Sequence, residues 1–166
     1  MHDQPKYEPL EASKFFADRR ASRPLVAGTV ARGHLREDVH FYTGKSGDQD
    51  VTTFPFAVTR EVIERGQGRY NVYCRPCHDP TGYGLGMVVR RGLRRPPSFH
   101  IDRLREAPVG HFYDVMTNGF GLMPDYAAQI PARDRWAIIA YIRVLQRSQY
   151  ATIEDVPADK RAEVKK

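Results

Sequence analysis

The sequence predicts an all-α domain of three or four helices joined by long loops, preceded by a less regular arm. Three observations predict it. Apolar residues recur at helical spacing in residues 59–74, 109–118 and 131–148, and no segment alternates convincingly at the period of a strand. Glycine and proline crowd the intervening stretches, above all from Asp79 to Gly86 and at Pro96-Pro97. Loops this long in so small a helical domain need something to pack against, which a buried cofactor would provide.

The first helix begins at Thr59, a good N-cap, with Glu61 in its first turn, and carries Val62, Ile63, Gly66, Tyr70 and Tyr73 up to Cys74. Gly66 and Tyr70 share a face. A mid-helix glycine costs about 1 kcal/mol against alanine, so Gly66 predicts a close approach by another helix. Asp102–Arg105 reads as a brief helical turn. Val109–Asn118 is a helix with Phe112, Tyr113 and Met116 on one side, stopped by Asn118-Gly119. Gly121-Leu122-Met123-Pro124 is a loop, because proline disfavours a helical residue before it. The last helix opens at Pro131, has Asp134 in its first turn, and runs through Trp136, Ile139, Ala140, Tyr141, Val144 and Leu145 to about residue 148. The charged tail, residues 151–166, is expected to fray.

Residues 1–58 are broken repeatedly by proline and glycine, with Glu11–Arg20 the one stretch that reads as a short helix. The segment is nonetheless rich in large apolar groups, among them Tyr7, Leu10, Phe15, Phe16, Leu25, Val26, Phe41, Phe54 and Phe56. A solvated tail would not carry them, so the expectation is an extended arm laid on another subunit. The domains are thus the arm 1–58, a helical domain 59–150 and the tail.

A chain of 166 residues is one domain by length. Its net charge of +6 lies wholly beyond residue 58, concentrated at Arg90, Arg91, Arg94, Arg95, Arg103 and Arg105. No groove-reading motif accompanies the cluster, so no nucleic acid is expected as a partner. Arg91 and Arg94 read as neutralising the carboxylates of a bound cofactor or as facing an acidic partner, beside the plain reading of a solvated loop. The longest apolar run, Trp136–Ile142, is too short to span a bilayer. Met1-His2-Asp3-Gln4-Pro5 does not read as a secretory leader.

The two cysteines, Cys74 and Cys77, stand in Cys74-Arg75-Pro76-Cys77-His78. A dithiol switch wants a strand before the motif and a helix after it; here a helix precedes and a glycine-rich loop follows. A zinc site wants a second ligand pair, and His100 or His111 would be the only recruits. Covalent haem meets every local constraint: two thioethers to the porphyrin vinyl groups and an adjacent histidine placed under the iron. One covalently bound haem c is therefore expected, with Cys74 and Cys77 as tethers and His78 as axial ligand. For the sixth position, Met87 is too near in sequence and Met116 lies on the inward face of its helix. Met123, in a glycine-flanked loop fixed by Pro124, is the expected ligand. Histidine opposite thioether suits electron transfer rather than oxygen chemistry.

Gly66, Tyr70, Cys74-Arg75-Pro76-Cys77-His78, Met123-Pro124 and the helix holding Trp136 and Tyr141 together resemble a class I cytochrome c domain over residues 59–150. The resemblance implies that Tyr141 packs against Gly66 and Tyr70. It also implies that the carbonyl of Pro97, in Pro97-Ser98-Phe99, accepts the Nδ1 proton of His78. The opening Met1-His2-Asp3-Gln4-Pro5, Phe15-Phe16-Ala17-Asp18, Arg23-Pro24, Gly28-Thr29-Val30-Ala31-Arg32-Gly33 and Met87-Val88-Val89-Arg90-Arg91-Gly92 resemble the monohaem cytochrome c subunit of bacterial alternative complex III.

That family implies a membrane-bound, quinol-oxidising complex at the extracytoplasmic (periplasmic) face. Its partners would be other haem or iron–sulfur subunits and an electron acceptor such as a cytochrome c or a terminal oxidase. It also implies a lipid anchor on an N-terminal cysteine; none precedes Cys74, so that cysteine either lies outside this numbering or the anchor is missing. The expected role is an electron carrier, not an enzyme in its own right. A free periplasmic shuttle and a small haem peroxidase using His100 or His111 are the alternatives.

Overall fold

The computed structural model describes residues 4–164; Met1-His2-Asp3, part of the opening that carries the family resemblance, and residues 165–166 lie outside the described residues. The chain divides into two compact units, one ending at Arg36 and the other beginning at Glu37.

In the first unit the helix expected over Glu11–Arg20 does not form. Ala12 and Arg20 instead pair across an isolated antiparallel bridge, with the Ser13 amide donating to the Arg19 carbonyl at 2.9 Å. The reason is local competition for the backbone. The Asp18 carboxylate accepts from the Arg20 amide at 3.2 Å, and the Ser13 hydroxyl accepts from the Phe15 amide at 3.2 Å. Such bonds offer the backbone an alternative to the helix. Arg23 closes the loop, pairing with Asp18 at 2.7 Å and stacking over Phe16 at 4.0 Å. Leu10, Phe15 and Leu25 are more than four-fifths exposed, at 90%, 84% and 81%.

The second unit is helical, as expected, but it starts earlier than residue 59. Helix α1 (Val39–Thr43) and a hairpin of β1 (Lys45–Ser46) with β2 (Gln49–Asp50) precede the predicted helices. The hairpin turns through Gly47-Asp48, with Gly47 at φ 59°, a glycine-favoured geometry. Helix α2 spans Arg60–Tyr73 behind the Thr59 cap, and its C-terminal neighbour α3 is the single turn Arg75–His78. Short helices α4 (Met87–Arg90) and α5 (Asp102–Glu106) punctuate the long loop. Helices α6 (Val109–Asn118) and α7 (Ala132–Gln149) complete the domain. Pro131 caps α7 rather than opening it. The tail is not simply frayed: it forms short 3-10 turns at Ile153–Asp155 and Ala158–Glu163, the first held by a Thr152–Asp155 capping box.

The arm boundary at residue 58 therefore needs correction. Residues 37–58 belong to the helical unit because they seal one end of its core. The Trp136 indole N–H donates to the Phe41 carbonyl at 2.8 Å, and its ring stacks on Tyr113 at 4.6 Å between centroids. A Cβ at Gly110 would lie 2.2 Å from the Gly44 carbonyl oxygen, so α6 and the α1–β1 corner touch through backbone. Replacing Trp136 by phenylalanine is expected to lower stability by about 1–3 kcal/mol, from the lost hydrogen bond to the partly buried Phe41 carbonyl and the lost ring volume, with chemical denaturation as the measure.

The principal seam joins α2 to α7. Gly66 permits it: a Cβ there would lie 2.0 Å from the Ala137 carbonyl oxygen and 3.1 Å from the Tyr141 Cβ. Tyr70, fully buried, meets Tyr141 edge-on at 5.3 Å. Asp134 at the start of α7 is held by Arg65 at 2.8 Å and Arg69 at 3.1 Å. The glycine and aromatic pairing anticipated in the sequence is thus made.

Candidate haem site

Helices α2, α3 and α6, the Met123 loop and the Pro96–Phe99 loop surround one apolar cavity of about 420 Å³. Cys74 links α2 to α3, and the turn of α3 sets the motif's geometry. The amides of Cys77 and His78 donate to the Cys74 carbonyl at 3.2 and 2.8 Å, so both sulfurs and the imidazole reach the same wall. Pro76 is helical-turn scaffolding: its carbonyl oxygen sits where a Cβ on Gly86 would be only 2.2 Å away. The glycine loop folds back under α3, with the Gly84 and Gly86 amides donating to the carbonyls of His78 and Cys77 at 3.0 and 3.1 Å.

Met123 reaches the cavity from the opposite side in sequence. Its loop is clamped by reciprocal bonds with Phe120, at 2.9 and 3.0 Å. A Cβ at Gly119 would approach the Met123 carbonyl to 2.7 Å, so that glycine is needed for closeness as well as for its φ of 77°. Cys74, Cys77, His78 and Met123 all line the one cavity, with Leu104, Phe112 and Ile142 among its apolar walls.

Burial fixes the chemistry of these groups. It pushes the Cys74 thiol up to about 12, Cys77 adding a smaller push, which is the reverse of the activated thiolate a dithiol switch uses. It pushes His78 down to about 4 against an opposing pull from Asp79, so the imidazole is neutral, as an iron ligand must be. Among the described residues no group of three or more histidine, cysteine or acidic side chains is arranged to hold a metal ion.

The other expected site residues divide. Pro97 and Arg94 line the cavity, as do Arg95 and Arg103. Arg95, however, is engaged structurally, donating to the Tyr83 carbonyl at 2.8 Å. Arg91 and Tyr141 are not on the cavity wall. Tyr141 belongs to the α2–α7 seam, where Gln67 donates to its hydroxyl at 3.4 Å, and Arg91 follows α4 on an exposed turn. The hydrogen bond expected from His78 to the Pro97 carbonyl is not made; the buried His78 Nδ1 has no hydrogen-bond partner. What orients the ring is Phe99, stacked on it at 4.5 Å with 13° between planes.

Phe99 was legible only as part of the proline loop. Asp79, which organises the loop behind His78, carried no sequence signal beyond following the motif. Of the alternatives, His111 and Met116 line the cavity, whereas His100 and Met87 do not. His100 is buried instead against the Thr81 carbonyl, 2.7 Å from its Nε2.

The residues present fit a covalently held haem. Two thiols one helical turn apart, a neutral imidazole beside them and a thioether share one apolar chamber. The family model for cytochrome c oxidase, cbb3-type, subunit III matches residues 61–142. No curated protein is matched by the chain. Among solved structures, a reducing HAO-like protein complex of Kuenenia stuttgartiensis superposes with a TM-score of 0.49 at 21% identity, over 64% of this chain and 54% of that one. By the family match, residues 61–142 are a cytochrome c domain, its helical fold is that of class I, and such a domain implies covalently bound haem c and electron transfer.

Proposed function

We propose that the protein is the monohaem cytochrome c subunit of a membrane-bound, quinol-oxidising respiratory complex of the alternative complex III type. In this reading it works at the extracytoplasmic face and passes electrons towards a terminal oxidase or a cytochrome c. The observation that carries the electron-carrier role is the single cavity onto which Cys74, Cys77, His78 and Met123 converge. Cys74 and Cys77 are the thioether tethers, and His78 and Met123 the two axial ligands. When bound there, haem supplies a one-electron couple, and the paired histidine and thioether favour its ferrous form.

The rest of the chain holds that couple ready. Apolar walls keep water from the iron, Phe99 fixes the plane of His78, and the Phe120–Met123 clamp presents the thioether. Membership of a larger complex is supported by the first unit, whose apolar side chains are exposed and call for a covering surface. No helix among the described residues is long and apolar enough to cross a membrane; in this reading partner subunits and a lipid hold the protein at the membrane.

Two measurements test it. The denatured protein is expected to keep its haem through acid–acetone extraction and to give a c-type pyridine haemochrome spectrum; extractable haem would overturn the covalent assignment. In the native host, the protein is expected to remain with salt-washed membranes and to co-purify with quinol-oxidising activity and other haem or iron–sulfur subunits. Recovery in the soluble periplasmic fraction would make it a free shuttle.

A further inference from the structure

Asp79, directly behind His78, sits in a backbone conformation reserved almost entirely for glycine, with φ 59° and ψ 173°. A side chain persists in such a conformation only where its surroundings over-determine it, and here they do. One carboxylate oxygen accepts from the Thr81 amide and hydroxyl, both at 2.7 Å, and from the Gly82 amide at 2.9 Å. The other accepts from the Leu85 amide at 2.8 Å. The Asp79 carbonyl accepts from the Tyr70 hydroxyl at 2.7 Å, tying the residue to the α2–α7 seam. Asp79 is only 5% exposed.

Loop geometry alone would be met by glycine, without strain and without burying a charge. Three of the four donors are backbone amides of the loop and the fourth is the Thr81 hydroxyl, so the carboxylate organises the turn that holds it. A group that accepts four hydrogen bonds and donates none is held as an anion. The chain therefore keeps a fixed negative charge in the residue next to an iron ligand, in surroundings where charges are weakly screened.

We propose that Asp79 is a potential-setting and positioning residue: its carboxylate locks the loop beneath His78 and its charge lowers the reduction potential that the histidine and thioether ligands would otherwise give. The physical ground is that reduction of the iron removes a positive charge, so a nearby anion favours the ferric state. Thr81 tempers the effect, since its hydroxyl draws part of the carboxylate's charge. The inference rests on His78 being an axial ligand and on the haem being held by Cys74 and Cys77. It does not depend on membership of a quinol-oxidising complex.

The experiment is an equilibrium redox titration of the purified haem-loaded chain and two variants. Asp79→Asn keeps shape and removes charge; it is expected to shift the one-electron equilibrium towards ferrous haem by roughly tenfold, about 59 mV. Thr81→Val removes the hydroxyl donor while keeping the charge, and is expected to shift it the opposite way, by roughly threefold. Opposite signs cannot come from a loosened loop, which would move both variants alike. A potential for Asp79→Asn within twofold of wild type, or shifts of the same sign in both variants, overturns the proposal. If Asp79→Asn fails to retain haem, the absence of a downward shift in Thr81→Val overturns it alone. Failure of the haem assignment itself would show separately, as a wild-type protein without a c-type haemochrome.

Discussion

Replacing Gly66 by valine is expected to cut the domain's stability sharply, and with it the yield of haem-loaded protein. The first added atom alone would lie 2.0 Å from the Ala137 carbonyl oxygen and 2.6 Å from its carbon. Both are backbone atoms in the middle of α7, and neither can rotate aside. The helices would have to separate along the seam that buries Tyr70 and carries the Arg65 and Arg69 contacts with Asp134. Overpacking a well-filled core typically costs about 1–3 kcal/mol, and a backbone clash of this depth belongs at or beyond the upper end. Against a total stability of about 5–15 kcal/mol, the expected result is a large fall in thermal midpoint and in the yield of haem-loaded protein.

Gly68 supplies the control. It lies on the same helix, and a Cβ there meets nothing within 4 Å. Gly68→Ala is expected to stabilise the protein, by up to about 1 kcal/mol of helix propensity. If Gly66→Val and Gly68→Ala behaved alike, the close α2–α7 approach would be wrong.

Met123→Ala is expected to leave the haem attached but to change the iron. Cys74, Cys77 and His78 lie on other elements, so the tethers and one axial ligand remain. The long-wavelength ferric charge-transfer band of a thioether ligand is expected to vanish, and the ferrous protein to bind carbon monoxide rapidly. Loss of the thioether is expected to lower the potential by on the order of 0.2 V, within the range of about 0.8 V over which axial ligands set haem potentials. Met116→Ala provides the comparison, since Met116 lines the same cavity but is a buried side chain of α6. It is expected to cost about 2–4 kcal/mol of stability and to leave the band in place. Retention of the band in Met123→Ala, with its loss in Met116→Ala, would transfer the ligand role to Met116.

How much of this was legible beforehand follows from the range of the interactions involved. The helices α2, α6 and α7 were visible because their signals are local: a cap at Thr59, a stop at Asn118-Gly119, and apolar residues at helical spacing. Gly66 was readable as a contact point for the same reason, since a glycine that weakens a helix needs a compensating approach. Residues 37–58 were misread as arm because their packing is long-range. Nothing near Phe41 announces that its carbonyl will meet Trp136, and a hairpin with strands of two residues carries no alternation to detect. The expected helix over Glu11–Arg20 failed through short-range competition, Asp18 and Ser13 taking backbone groups a helix would have used.

The site shows the same division. The sequence by itself determined the chemistry: two sulfurs and an imidazole in one pentapeptide, whose spacing a single helical turn converts into one reactive wall. It also pointed to Met123, because Pro124 and the flanking glycine exclude a helix there. Only the tertiary structure decided what surrounds that chemistry. It brought Phe99 rather than a Pro97 carbonyl against His78, set Arg94 on the cavity wall and Arg91 off it, and placed Tyr141 in the helix seam. It also closed the hydrogen-bonded cage of Asp79. Covalent spacing is written along the chain, but a stacking partner or a fixed charge depends on which distant segments meet, and that is settled only when the core packs.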